Sequence, residues 1–284
     1  MISSLNSILQ TNIKIKVVDI GANPVDGKPN YYPLLERGDA HVVGFEPEPE
    51  ALAKLNAEKG PHETYLPLAV GDGKKHTLHF CVASGMTSLF EPNPQVLNLL
   101  HGFPEWSRVV KTGEVATRRL DDIPEAVPFD LLKLDIQGAE LMVLENAVTA
   151  LKSALFIQTE VEFMPFYKGQ PLFSDVDQFL RKHGFVLHRF DRLISRVIKP
   201  LIINNDIYAG LSQLFWTDAF YVRDFTRLEL LTSEQLLRLA LILNDCYNSY
   251  DLVLLLLTEH DKREDTQYGP RYQKEGLNVQ PPKV

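Results

Sequence analysis

Acidic residues that close short apolar runs are the chemistry-bearing pattern of this chain. Val17-Val18-Asp19-Ile20-Gly21-Ala22-Asn23 is an apolar run that carries an acid and stops in a glycine turn. Gly44-Phe45-Glu46-Pro47 is a second apolar run ending in an acid. Leu68-Ala69-Val70-Gly71-Asp72 and Leu131-Leu132-Lys133-Leu134-Asp135 repeat the arrangement. A strand–turn of this kind, opening onto a helix, presents backbone N–H groups to a ligand, and an acid ending the next strand can hold a ribose hydroxyl pair. The chemistry expected is the binding of a nucleoside-containing cofactor. Acids at successive strand ends would repel one another unless a cationic ligand or hydrogen-bond donors sat among them.

Two cofactors fit such a turn, a dinucleotide and S-adenosylmethionine. The dinucleotide fingerprint needs glycines at three positions so that the backbone can approach a pyrophosphate. Here the second and third of those positions are Asn23 and Asp26. Asp19 and Asp26 would also repel a pyrophosphate, whereas the ammonium and sulfonium groups of S-adenosylmethionine would be attracted. Taken alone, the motif is equally an ordinary strand–turn–helix whose glycine serves backbone freedom.

The elements that must position these residues alternate between short apolar runs and helical stretches, which predicts a mostly parallel sheet with helices on both faces. Strands are expected at 14–20, 41–46, 64–70, 129–135 and 155–160, with later strands at 184–190 and 219–222. Helices are expected at 31–36, 48–58, 139–150 and 174–183. Residues 76–120 are less regular and read as an insertion or substrate loop within a domain spanning 1–225. Thr232-Ser233-Glu234-Gln235 has the form of a capping box and opens a helical hairpin over 226–262. The hairpin's apolar face could cover the sheet or form a homodimer contact. The polar stretch 263–284 is expected to be a flexible tail.

Composition narrows the class. At 284 residues, 45% hydrophobic and 23% charged, the chain is long enough for an ample core. A formal net charge of −8 argues against a nucleic-acid partner. The two cysteines, Cys81 and Cys246, are far apart and lack metal-ligand spacing. The N-terminus lacks the pattern of a signal peptide, and the longest apolar run, from Leu252 to Leu257, is too short to span a bilayer. A cytoplasmic protein without a membrane partner is expected.

The ordered set Asp19-Ile20-Gly21-Ala22-Asn23, Gly44-Phe45-Glu46-Pro47, Ala69-Val70-Gly71-Asp72, Arg119-Leu120-Asp121-Asp122-Ile123 and Leu132-Lys133-Leu134-Asp135-Ile136-Gln137-Gly138-Ala139-Glu140 resembles the FkbM family of S-adenosylmethionine-dependent methyltransferases. The resemblance covers roughly residues 14–190. It implies an α/β, Rossmann-like class I methyltransferase fold with a seven-stranded sheet whose last strand is antiparallel. It implies that Gly21, Ala22 and Asn23 approach the methionine end of S-adenosyl-L-methionine, with Asp19 facing the amino group. It further implies that Glu46, next to Pro47, holds the ribose hydroxyls, that Gly71 and Asp72 flank the adenine, and that Asp135 lies near the sulfonium and the acceptor. Two positions depart from the family pattern: Val25, with Pro24 and Asp26-Gly27 around it, stands where a glycine is usual, and Gln137 replaces a glutamate.

Methyl transfer is an in-line displacement in which the enzyme aligns acceptor and methyl, and a hydroxyl acceptor needs a base. Candidates are Asp135, Glu160, Glu162 and His188, of which Asp135 and Glu160 are preferred. Strand alternation puts Glu160 and Glu162 on one face. His188, between apolar neighbours, reads as structural. Phe163-Met164-Pro165-Phe166-Tyr167 could wall the acceptor pocket or simply pack, and Gly85-Met86-Thr87-Ser88-Leu89 is a candidate lid. No residue completes an oxygen-rich shell around Asp135 and Glu160, so no metal is expected. The expected activity is O-methylation of a hydroxyl on a sugar, glycan or other natural product. The alternatives are a non-catalytic module on the same fold and, with less support, a nicotinamide-dependent oxidoreductase.

Overall fold

Parallel strands buried on both faces need near-continuous apolar sequence, and the computed structural model, which describes residues 3–23 and 27–278, builds its sheet from those runs. The strands are β1 (Ile15–Ile20), β2 (Ala40–Phe45), β3 (Glu63–Leu66), β4 (Ala69–Val70), β5 (Lys75–Cys81), β6 (Val109–Arg118), β7 (Leu131–Leu134), β8 (Phe156–Glu162), β9 (Phe185–Ser195) and β10 (Leu214–Arg223). The helices are α1 (Leu5–Leu9), α2 (Tyr32–Glu36), α3 (Pro49–Glu58), α4 (Pro94–Leu97), α5 (Phe103–Trp106), α6 (Glu140–Glu145), α7 (Phe173–Lys182), α8 (Ser233–Asp245), α9 (Tyr250–Glu264) and α10 (Tyr268–Arg271).

Seven strands form one sheet in the order β3-β2-β1-β7-β8-β10-β9. Six strands run in one direction and β10 alone runs against them. This is the expected class I methyltransferase architecture. The order reverses at β1, whose neighbours are β2 and β7. Ligands of open α/β sheets bind beyond the strand ends at such a reversal. Alternation sends Val17, Leu131, Phe156 and Val222 to one face and Val18, Leu132, Ile157 and Tyr221 to the other. The first face is covered by α1, α8 and α9, the second by α6 and α7. The apolar side of the α8–α9 hairpin is thereby spent on the sheet.

The start of α8 is capped as its sequence dictates. Thr232 Oγ1 accepts from Gln235 N, and Gln235 Oε1 accepts from Thr232 N. Three expectations need correction. The strand expected over 64–70 is two strands, β3 in the main sheet and β4 in a second sheet of order β4-β6-β5. Pro67 separates them, because its missing N–H cannot extend a ladder. The helix expected over 139–150 stops at Glu145. A separate turn, Ala150–Lys152, follows, and the Asp121 carboxylate accepts from Thr149 N and Ala150 N at its start.

The third correction concerns the stretch expected as a flexible tail. Up to residue 278 it is folded: α9 runs to Glu264, and α10 and a π-helical turn, Tyr272–Leu277, follow. Asp261 accepts from Tyr268 N and Gly269 N at 2.8 Å each, and the buried Tyr272 hydroxyl donates to Asn244 Oδ1 at 2.7 Å. The polar composition conceals one large aromatic anchor. Residues 279–284 lie outside the described residues.

Candidate active site

β1 delivers Asp19, and the adjoining β7 delivers Lys133 in register with it. Asp19 is 2% exposed. Its Oδ1 lies 3.3 Å from Lys133 Nζ, and its Oδ2 accepts from the Tyr31 hydroxyl at 2.6 Å. Burial raises the Asp19 pKa, and the lysine and the tyrosine offset part of that rise. Burial works against the charge on Lys133, yet Asp19 and Asp135 outweigh it and hold the ammonium protonated above the ordinary lysine range. The side chain implied to meet the cofactor's amino group therefore already has protein partners on both oxygens.

The glycine turn differs from its expectation in one respect. Gly21 N and Ala22 N both donate to Phe45 O, at 3.3 and 3.2 Å. Among the described residues, the next helix begins at Tyr32. These N–H groups are thus committed to the protein, and among the described residues no helix opens at the turn. What the glycine supplies is close approach: Gly21 has φ +85, and a Cβ there would stand 1.9 Å from Asp135 O. Asn23 is half-buried at the end of the turn. Pro24, Val25 and Asp26, the departure from the family pattern, lie outside the described residues.

Glu46 follows β2 and is buried. Its Oε1 accepts from Glu48 N at 2.8 Å, and among the described residues Oε2 takes no hydrogen bond. Burial raises its pKa. Pro47 beside it is exposed. Gly44 packs so closely that a Cβ would come within 2.5 Å of Tyr65. Asp72 behaves differently: its carboxylate is held by His76 Nε2 at 2.7 Å, Lys74 N at 3.0 Å and Thr117 Oγ1 at 3.2 Å. Burial would push its pKa up, but the hydrogen bond to His76 and its other partners hold it below the usual carboxylate range. Gly71 packs on Thr117. The structure therefore brings Asp19, Glu46 and Asp135 to adjacent strand ends and ties Asp72 into the second sheet.

On the other side of the reversal, Asp135 and Glu160 are joined through Gln137. Its Nε2 donates to Asp135 Oδ1 at 3.1 Å and to Glu160 Oε2 at 3.0 Å. Gln137 sits at φ +59, a conformation few side chains adopt. Both candidate loops hold it there. Ser88 Oγ donates to Gln137 O at 2.6 Å, and the buried Tyr167 hydroxyl lies 3.2 Å from both Gln137 Oε1 and Met86 O. The 85–89 and 163–167 segments thus hold Gln137 in place. Burial and then the charge of Asp135 raise Glu160 well above the ordinary glutamate range, and burial does the same for Glu162. Glu140, accepting from Ile136 N and Gly138 N, is pushed up to about 7, first by burial. Asp218, opposite Glu160 on β10, is pushed up to about 6 by burial and by Asp135. His188 is bonded to Ser249 Oγ at 2.7 Å, and burial lowers its pKa.

Sequence reasoning assigned no role to Lys133 or Tyr31. A signal was present for the first: a lysine between Leu132 and Leu134 in a buried strand requires an acid beside it. Tyr31 precedes a short helix and carries no such mark. Among the described residues, no set of three His, Cys, Asp or Glu side chains is placed to hold a metal. No helix among them is long and apolar enough to cross a membrane.

The sheet order, the acid-ended strands at its reversal and the glycine turn against Asp135 define a class I methyltransferase. The methyltransferase FkbM domain model matches residues 19–187, and the chain belongs to that family. It uses S-adenosylmethionine. The chain is similar to 2-O-methyltransferase NoeI of Sinorhizobium fredii, 32% identical over 198 residues, covering 62% of this chain and 80% of NoeI. It is also similar to the hexuronic acid methyltransferase AglP of Haloferax volcanii, 32% identical over 125 residues that cover 43% of this chain and 47% of AglP. Among solved structures, magnesium protoporphyrin IX methyltransferase from Synechocystis PCC 6803 aligns with a TM-score of 0.38 at 11% identity, covering 77% of each chain.

Proposed function

We propose that this enzyme methylates a hydroxyl of a sugar or glycan, with Glu160 as the base. The observation that carries the reading is the Asp135–Gln137–Glu160 bridge, which sets two carboxylates at neighbouring strand ends beside the Gly21 turn. The sugar acceptor is supported by the names of the two relatives, a 2-O-methyltransferase and a hexuronic acid methyltransferase. For the cofactor, Gly21, Ala22 and Asn23 would line the methionine end and Glu46 Oε2 would accept a ribose hydroxyl. Pro47, Gly71 and Asp72 would border the adenine, and Asp135 would stand nearest the sulfonium. Asp19, held by Lys133 and Tyr31, would shape that end of the pocket through its neighbours.

Bound S-adenosylmethionine supplies an electrophilic methyl group on a sulfonium. The chain's own residues do the rest. Gln137 Nε2 fixes Glu160 by Oε2, which leaves Oε1 for the acceptor hydroxyl. As the hydroxyl oxygen forms its bond to the methyl carbon and the carbon–sulfur bond breaks, the proton passes to Glu160. A carboxylate raised by burial is a better proton acceptor near neutral pH than an ordinary glutamate. We also infer a cytoplasmic enzyme without a nucleic-acid partner, supported by the formal net charge of −8.

The test is transfer of a labelled methyl group from S-adenosylmethionine to a panel of saccharides. Glu160→Gln keeps an acceptor for Gln137 but cannot take a proton, so kcat should fall by on the order of a hundredfold or more. Calorimetric affinity for S-adenosylmethionine should be unchanged. Full-speed transfer by Glu160→Gln would remove Glu160 as the base, and a wild-type protein that labels no saccharide would remove the acceptor class.

A further inference from the structure

Beyond the acid cluster, the segment between β9 and β10 carries a cation that has no ion-pair partner among the described residues. This loop runs from residue 196 to 213 at the same end of the sheet as the acids. It is pinned at several points: Val197 N donates to Ala209 O, Lys199 N to Leu99 O, and Gly210 packs against Ser195. Within it, the Arg196 guanidinium lies 4.7 Å from the ring centre of Trp216 and 6.0 Å from that of Tyr208. Tyr208 stacks on Trp106, with centroids 5.8 Å apart and planes 15° from parallel. Trp216 in turn meets Phe103 and Phe166 edge-on. The rings hold the guanidinium in place.

Its hydrogen bonding is incomplete. Nη1 donates to Ser195 O at 2.9 Å, while Nε is buried without a partner. Among the described residues, no carboxylate lies within ion-pair distance of Arg196. The acid whose charge acts on it, Asp206, accepts through Oδ1 from Tyr208 N. A guanidinium keeps its charge even when burial opposes it, and a half-buried charge with no carboxylate beside it is costly unless a ligand supplies the anion. Evenly placed donors on an aromatic shelf suit a carboxylate, sulfate or phosphate.

The place of this shelf relative to the base follows from the β8–β10 ladder. Trp216 stands opposite Glu162, and Asp218 stands opposite Glu160. Two strand residues span about 7 Å, which sets the backbone of Trp216, the residue under Arg196, about that far along β10 from the residue opposite the proposed base. We propose that Arg196, on its shelf of Trp216 and Tyr208, is an acceptor subsite that reads an anionic group on the sugar to be methylated. This rests on the saccharide reading above and adds a requirement to it. The acceptor class becomes acidic saccharides.

The experiment is calorimetric binding to the full chain saturated with S-adenosylhomocysteine, which needs no turnover. The probes are methyl glucoside, methyl glucuronoside and glucose 6-phosphate. The wild type should bind at least one anionic probe roughly tenfold more tightly than methyl glucoside. The two anionic probes distinguish a planar carboxylate from a tetrahedral phosphate. Arg196→Met should erase the preference while leaving S-adenosylhomocysteine affinity unchanged, which also reports that the variant is folded. Arg196→Lys should retain part of it. Equal binding of neutral and anionic probes by the wild type, or a preference that survives in Arg196→Met, overturns the proposal and leaves the saccharide reading standing. Binding of S-adenosylhomocysteine with no binding of any saccharide overturns both.

Discussion

Gln137 shows how one side chain can decide whether several others are usable. The resemblance marks it as a departure, an amide where a glutamate is usual. The geometry supplies a reason: a carboxylate cannot donate, and this position donates to Asp135 and Glu160 at once. Asp135, Gln137 and Glu160 were legible in the sequence as separate residues, because each lies in or beside an acid-ended run. Their connection was not, since it depends on a positive φ that nothing in the local sequence marks. The need of Lys133 for an acid was legible in its buried strand, but the identity of that acid was not, Asp19 being remote in sequence. Gln137→Glu should therefore destabilise the fold by about 2 kcal/mol at pH 8, since an ionised carboxylate there donates neither hydrogen bond and adds a third acid between Asp135 and Glu160. At pH 5, where the new carboxyl is protonated and can donate again, most of the loss should return. Urea unfolding at the two pH values measures it, and an equal loss at both would refute this account of Gln137.

At the level of elements, periodicity located β1, β2, β7 and β8 to within a residue or two because all are apolar strands bounded by turns or acids. It erred where one residue overrides a pattern. Pro67 divides a run that otherwise reads as one strand. The C-terminal stretch failed for a different reason. Its stability rests on Tyr272, fully buried against α1 and α8, and average composition does not reveal a single anchor. Tyr272→Ala should cost roughly 3 to 5 kcal/mol, the range for emptying a large aromatic site. Tyr272→Phe should lose only its bond to Asn244, about 1 kcal/mol. Chemical denaturation of the two variants distinguishes a packed segment from a loose one, for which both losses would be close to zero.

For the molecule as a whole, the distribution of charge matters more than its total. The formal net charge of −8 says little about folding, but several acids are gathered and buried at one end of the sheet. Glu140 is pushed from 4.5 up to about 7 and Asp218 from 3.8 up to about 6, in both cases chiefly by burial. A raised carboxyl pKa means that the folded protein holds a proton that the unfolded chain has released. Stability from this source is complete below the ordinary carboxyl pKa and is lost as pH rises through the folded value. Asp72 acts in the opposite direction, its depressed pKa giving stability that disappears on acidification below the usual carboxylate range. The fold should accordingly be most stable in mildly acidic solution and weaken between pH 5 and pH 8. For Glu140 alone, a rise from 4.5 to about 7 corresponds to about 3 kcal/mol. Glu140→Gln keeps an oxygen for Ile136 N and Gly138 N but removes the titration. Its unfolding free energy should match the wild type near pH 5 and exceed it by about 2 kcal/mol at pH 8. Urea titrations across that range test the sign directly: curves that stay parallel would show that Glu140 does not carry the pH dependence.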